Sequence, residues 1–562
     1  MVFNDINYDN YLVQYHGDIT AELSKYTDYI VTLINSSFAI ISVKKDQEIN
    51  INDARNKTIT YVTPSTMYTL QEVTPLDASK AQLLQLNLPL SLKGDGVAIV
   101  LIDTGIDYLN EEFQTPDGQT RIEFIWDQSI LNDIQTDKRV PFGTIYTKDQ
   151  INAAISASKE GKSPYDIVPS KDTIGHGTNM ASIAGASGKN SEVKGVVPNC
   201  SFIIIKLIED YSFETQFSTT VPIYNITSVF AAFNSIYEYS LTTTLPLSVL
   251  FPLGTNFGNH KRNGVLEDLI TQLSLSRGVA VISATGNEAD KGNHTTSVVP
   301  SLQEKAVVEL NVSEDEKNLW IEFWTDTPNI LSIDIISPSG ENTGKFSSLL
   351  NVTTVYTYIF EKTTVKVNYF IPEEKTGDEL IRIRLYNIES GIWKFRLSGD
   401  LILDGVFNAW LYQQGITVYK ETAFRPAIPS GTVTNPSNAS LVITPAGYNQ
   451  TNNNIVPYSG IAFPNYIIDV IDVACGCINA RAVGINNTVL TVEGTSVAAA
   501  ILAGVVAMLF EWGIILKNDT AIFSQTIKTY ISRGTDKRKG DMYPNAQWGY
   551  GILDVLLVFR NL

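Results

Sequence analysis

Cysteine, histidine and methionine are scarce in this chain: three, four and five of 562 residues. So few cysteines exclude a disulfide scaffold, and Cys475 and Cys477 lie too close in sequence for an easy bridge, so a reduced interior fits. Two near-adjacent cysteines with no Cys/His pair nearby also fall short of a zinc ligand set, and neither a metal nor a cofactor is expected. Positive charge is short as well. With 41 Lys+Arg against 59 Asp+Glu the net charge is −18, which argues against nucleic acid or an anionic membrane surface as the main partner. The longest apolar run, 497–510, falls short of the roughly 20 residues a bilayer requires. It reads as a buried helix, and no membrane span is expected. The opening MVFNDINYDNYLVQYHGD has neither the basic start nor the apolar core of a secretory signal, so the expectation is a product made and retained inside a cell.

What is present is enough apolar sequence for a large core. Hydrophobic residues make up 44% and charged residues 18%, the balance of a folded chain, and the length suits about two to four domains. Residues 1–71 alternate short apolar segments (YLVQY, YIVTLI, FAIISV) with polar turns and read as a small α+β unit ending in a Pro/Thr/Ser-rich linker. From Gly96 onward, buried β runs such as GVAIVLIDTGID, SFIIIKLI and GVAVISATGN alternate with helical stretches. That pattern is the signature of an α/β fold, a parallel sheet covered by helices. Between them and the C-terminal part lie segments rich in aromatic and β-branched residues, NLWIEFWTD and GIWKFRLSGDLILDGVFNAWLY among them. They predict an inserted all-β domain, a sandwich of jelly-roll type. The expected boundaries are 1–71, 72–303, 304–425 for the insertion, and 426–562.

Four short matches carry chemistry. General-base work at neutral pH usually falls to histidine, and His176 in DTIGHGTNMASIAGA sits between glycines that allow close approach at the start of an apolar helix. Asp103 ends the buried run GVAIVLID, where an ionised side chain is costly without a partner; a histidine base needs such a carboxylate to set its tautomer. Asn287 in SATGN follows another buried strand and has an amide to offer an oxyanion. Ser496 in GTSVAAA heads an apolar helix, where a serine is also an ordinary cap. Each match has a plain structural reading, and their joint occurrence in this order favours the catalytic one.

The blocks IDTGID, GHGT, SATGN and GTSVAAA are similar to the signature blocks of subtilisin-like serine proteases, over most of 72–300 and 430–562. The resemblance implies a subtilisin-like fold with Ser496 as nucleophile, His176 as base, Asp103 as its orienter and Asn287 as oxyanion donor. It also implies that Leu253, Gly254, Ala284, Thr285 and Gly286 face the substrate. Residues 1–71 would be a prodomain, a folding chaperone retained as bound inhibitor, cut between Gln71 and Glu72. The chain departs from the common pattern at Ala500, where a proline is usual, and at Pro252, where a serine is. RIEFIWDQSI, LGTNFGNH, YPNAQWGYGILDV and the inserted β domain resemble the clostridial Csp subtilases, germination proteases. That implies an intracellular spore protein whose protein substrate is the inactive precursor of a cortex-degrading hydrolase. Two rivals remain: a catalytically silent scaffold with the same fold, and a glycan-binding role for the β domain through Trp320, Trp324, Trp393 and Trp410.

Overall fold

A computed structural model describes residues 7–45, 47, 49–62, 74–86, 90–131, 139–219, 221–348, 353–417, 419, 421–464 and 470–562. The chain divides into two compact units, Met1–Glu72 and Val73–Leu562. In the first, an antiparallel sheet runs in the order Ile30–Leu33, Phe38–Lys44, Tyr8–Tyr15, Ile59–Val62. Alternation along YLVQY puts Val13 and Tyr15 inward, where they pack with Ile19 and Leu23 of a short helix. Gln71 and Glu72, the expected cleavage pair, lie outside the described residues.

The second unit is built on a six-stranded sheet in the order Val279–Ser283, Leu247–Phe251, Ala98–Asp103, Ser201–Lys206, Ile122–Asp127, Thr144–Thr147. All neighbours are parallel except the last pair. Residues 98–103 are buried throughout, as expected of a central strand covered on both faces. The sheet is extended by the C-terminal part of the chain: Ile443 donates to the Val281 carbonyl at 2.8 Å and accepts from Ser283 N–H at 3.2 Å. Beyond that join, Pro445–Asn449 and Val473–Gly476 run parallel to each other in a five-stranded sheet.

The helix Thr495–Phe510 threads this core, with every residue but Ser496 buried. Its extension to Ile515 makes it long and apolar enough to cross a membrane, yet it is 83% buried inside the protein. Gly504 is what lets it lie this close, because a Cβ there would sit 2.3 Å from that of Val196.

The sheets of the aromatic-rich region start at His294 and end at Arg425. A six-stranded antiparallel sheet, with Asn318–Thr325 and Glu379–Tyr386 near its middle, faces a four-stranded one that contains Gly391–Leu401 and Lys305–Val312. One core lies between them, formed by Leu310, Phe323, Ile333, Ile383, Trp393 and Phe407 among others. Alternation with period two explains it: Val365, Val367 and Tyr369 point inward, while the residues between them are half-exposed. Of the four tryptophans considered for sugar stacking, Trp393 is a packing residue of this core, whereas Trp324 and Trp410, although buried, form a separate cluster with Leu380 and line a second cavity.

Candidate active site

The site gathers at the ends of the parallel strands, where open α/β sheets place their ligands. Asp103 is the last residue of its strand and is fully buried. Its two oxygens lie 2.9 and 2.8 Å from His176 Nδ1, and Oδ1 also accepts the Thr104 N–H at 2.6 Å. An acceptor-only carboxylate at Nδ1 keeps the proton on that nitrogen and leaves Nε2 as the basic atom.

His176 opens the helix His176–Gly185 and its side chain is 33% exposed. Gly177 is required beside it, since a Cβ there would lie 2.2 Å from the Gly105 carbonyl oxygen. Burial works against the charged imidazole, but the Asp103 charge and hydrogen bond, with the Asp172 charge behind them, prevail and raise the His176 pKa.

Asp172 is a functional residue that the sequence reading missed. Its Oδ2 accepts Thr178 N–H and Oγ–H at 3.0 and 2.7 Å, and its Oδ1 accepts the Gly175 N–H at 2.7 Å and the Thr104 hydroxyl at 2.9 Å. Thr104 Oγ in turn accepts the Gly177 N–H at 2.9 Å. One carboxylate therefore satisfies orphan donors at the start of the histidine helix and braces it against the loop after Asp103. The available signal was an aspartate four residues ahead of the histidine at a helix start.

Ser496 occupies the first turn of Thr495–Phe510. Among the described residues its hydroxyl has one partner, the Pro252 carbonyl at 3.2 Å, so the O–H must turn from that carbonyl before its proton can pass to His176. Catalytic hydrogen bonds often tighten only when substrate arrives. Asn287 Oδ1 accepts the Thr495 N–H and hydroxyl at 3.1 and 3.0 Å. That orientation fixes the amide and leaves Nδ2 as a donor at the helix N-terminus, next to the backbone N–H groups that a helix start leaves unpaired.

Leu253 and Gly254 line a cavity of about 1000 Å³ together with His176. Ala284, Thr285 and Gly286 do not line it. Their carbonyls accept from Ser437 Oγ, Thr434 N and Gly460 N respectively, which ties this segment to the chain between 434 and 460. Pro252 lacks an N–H but uses its carbonyl on Ser496, and Ala500 is buried within the helix. Among the described residues no group of three or more His, Cys, Asp or Glu is arranged to hold a metal ion. Cys200, Cys475 and Cys477 are free and buried.

A parallel sheet with an aspartate–histidine pair at its strand ends and a serine on the first turn of a buried helix defines a subtilisin-like serine endopeptidase. The model of the Subtilase family, peptidase S8, matches residues 94–368, and the chain belongs to that family. Within it the chain is a Csp-type subtilase. The structure of the Clostridium perfringens CspB protease superposes with a TM-score of 0.75 at 27% identity, covering 86% of this chain and 97% of that one. A cold-adapted subtilisin-like serine proteinase is also matched, at a TM-score of 0.40 and 12% identity over 85% of this chain and 97% of its own. No curated protein matches the sequence.

Proposed function

We propose that Asp103, His176 and Ser496 form the catalytic triad of an endopeptidase that first cuts itself after a prodomain, 1–71, and then activates another protein by limited proteolysis. The Asp103–His176 pair carries this reading, since its 2.8 Å contact joins residues 73 positions apart in the geometry a general base requires. In the proposed cycle the Ser496 O–H turns from the Pro252 carbonyl and Oγ attacks the substrate carbonyl while His176 Nε2 takes its proton. The developing oxyanion accepts from Asn287 Nδ2 and the Ser496 N–H. His176 then returns the proton to the leaving amine, and water releases the acyl group by the same path.

The target is the inactive precursor of a cortex-degrading hydrolase, and the setting is spore germination, inside the spore. The Csp-type resemblance supports this assignment, as do the free cysteines of a reduced compartment. The body spanning 304–425 is a jelly-roll clamp that stabilises the protease. Incubation with such a precursor, comparing wild type with Ser496→Ala and sequencing the new N-termini, tests the reading. Mass spectrometry should find fragments near 1–71 and 72–562 in wild type and one chain in Ser496→Ala; a cut that persists in the variant removes self-processing.

A catalytically silent scaffold is the competing reading. The observation in its favour is the Ser496 hydroxyl bonded to Pro252. A serine-directed phosphonate that labels Ser496 in folded protein decides against it.

A further inference from the structure

The cavity shared by His176, Leu253 and Gly254 is lined on another side by the two-sheet β body. Trp320, Arg382, Tyr412 and Gln413 are among its walls, and all four come from that body. Gln413, Tyr412 and the neighbouring Glu322 join the β body to the segment that follows Leu253. Gln413 Nε2 donates to the Gly254 carbonyl at 3.0 Å, and its Oε1 accepts the Asn256 N–H at 3.4 Å. Glu322 accepts the Gly258 N–H at 3.0 Å with one oxygen and holds Arg382 at 2.6 and 2.9 Å with the other. Tyr412 stacks on Phe257 at 3.8 Å with 22° between the rings, and Trp320 meets Phe213 edge to face at 5.4 Å.

Two features indicate what this wall can receive. Its basic side chains are already committed, Arg382 to Glu322 and Lys375 to Asp268, while Asp210, Glu267 and Glu373 also line the cavity, so the lining disfavours an acidic side chain and leaves shape and apolarity to select among the rest. The Gly254 carbonyl has one lone pair occupied by Gln413, so a peptide laid along this segment gains less from its main chain and depends more on side-chain fit. A volume of about 1000 Å³ also exceeds one side chain and suits an extended stretch of polypeptide.

We infer that the β body is part of the substrate-binding site, its Trp320 and Tyr412 selecting a polypeptide with a large aromatic side chain on the acyl side of the cut bond. The inference rests on the proposed endopeptidase reading, in which Leu253 and Gly254 face the substrate. It assigns specificity to residues outside the parallel-sheet fold.

The test uses the full chain and fluorogenic peptides that carry either Phe or Ala at each of the second to fifth positions before the cut bond, with a small acyl ester as control. In wild type at least one position should show a Phe/Ala ratio in kcat/KM of about tenfold or more, the worth of a well-filled apolar subsite. Trp320→Ala and Tyr412→Ala should bring that ratio, which each variant's own Ala peptide normalises, below about threefold, and Trp320→Phe, which keeps a ring, should retain most of it. Ester turnover in wild type without any positional preference overturns this inference alone. So does a ratio unchanged in both alanine variants. No turnover of ester or peptide by wild type overturns the endopeptidase reading and this inference with it. If one alanine variant also loses ester activity, the ratio in the other decides the matter.

Discussion

Replacing Asp103 by asparagine tests the core of the site with almost no change in volume. In the native arrangement both carboxylate oxygens lie within 2.9 Å of His176 Nδ1, and Oδ1 is also held by the Thr104 N–H at 2.6 Å. That N–H requires an acceptor, so it draws the amide oxygen of the variant to the Oδ1 position and sends the NH₂ group to the other. The NH₂ then lies against Nδ1 as a donor, the imidazole shifts its proton to Nε2, and the base is lost. The loss expected for the wrong tautomer in such a pair is about 10⁴-fold in kcat, roughly 5 kcal/mol of transition-state stabilisation. The pH profile should respond too. The His176 pKa is raised, with burial opposing and the Asp103 and Asp172 charges prevailing, so wild-type kcat/KM should fall on the acid side above the ordinary histidine value of about 6.5. Residual activity of Asp103→Asn should fall at lower pH. Steady-state hydrolysis of a fluorogenic peptide from pH 5.5 to 9.5, with circular dichroism to verify the fold, measures both effects. An Asp103→Asn variant that keeps more than about a tenth of wild-type kcat, or a wild-type acid limb below about pH 6, would falsify the assignment.

Ser496→Ala and His176→Ala should each abolish proteolysis with the fold intact, by about 10⁶-fold in kcat; the double variant should be no slower, as kinetics on all three would reveal. Asn287→Ala should lower kcat by about 10²- to 10³-fold and leave KM nearly unchanged, and a change confined to KM would deny it the oxyanion role. Because the folded-state pKa of His176 is raised, its protonation stabilises the fold. That contribution is complete below the unfolded value and is lost as pH rises through the folded one, so His176→Ala should flatten this part of the melting-temperature profile. Glu379 is buried, which pushes its pKa up to about 8, and one oxygen accepts the Leu331 N–H at 2.7 Å. The folded state thus holds a proton that the unfolded state releases, and stability should fall between about pH 4.5 and 8. Glu379→Gln should remove part of that slope and raise Tm at pH 8.5 by about 2 °C or more, as calorimetry at pH 5 and 8.5 would show.

The sequence by itself determined the local pieces. Unbroken burial in 98–103, the helix start at His176, the apolar helix behind Ser496 and the period-two strands of the β body all follow from residues that are neighbours in the chain. Propensity, periodicity and the steric freedom of glycine act over a few residues. The resemblance added the order and roles of Asp103, His176, Asn287 and Ser496. Tertiary structure decided which side chains meet. Asp172 bracing Thr104, Gln413 on the Gly254 carbonyl, Glu322 on Gly258, and Ile443 joined to the strand at 279–283 span from 64 to 162 positions. Apart from Asp172, whose place four residues ahead of a helix-opening histidine is a local signal, none of these leaves a local signature, because a glutamate or glutamine that serves a distant backbone group looks in sequence like any polar surface residue. The same holds for the tryptophans. Trp393 and Trp320 sit in similar aromatic strands, yet one fills the core between the sheets and the other lines the cavity with His176. The face a strand residue presents follows from alternation, but what lies opposite that face is set by how two sheets and a parallel core pack together, and only the folded chain contains that information.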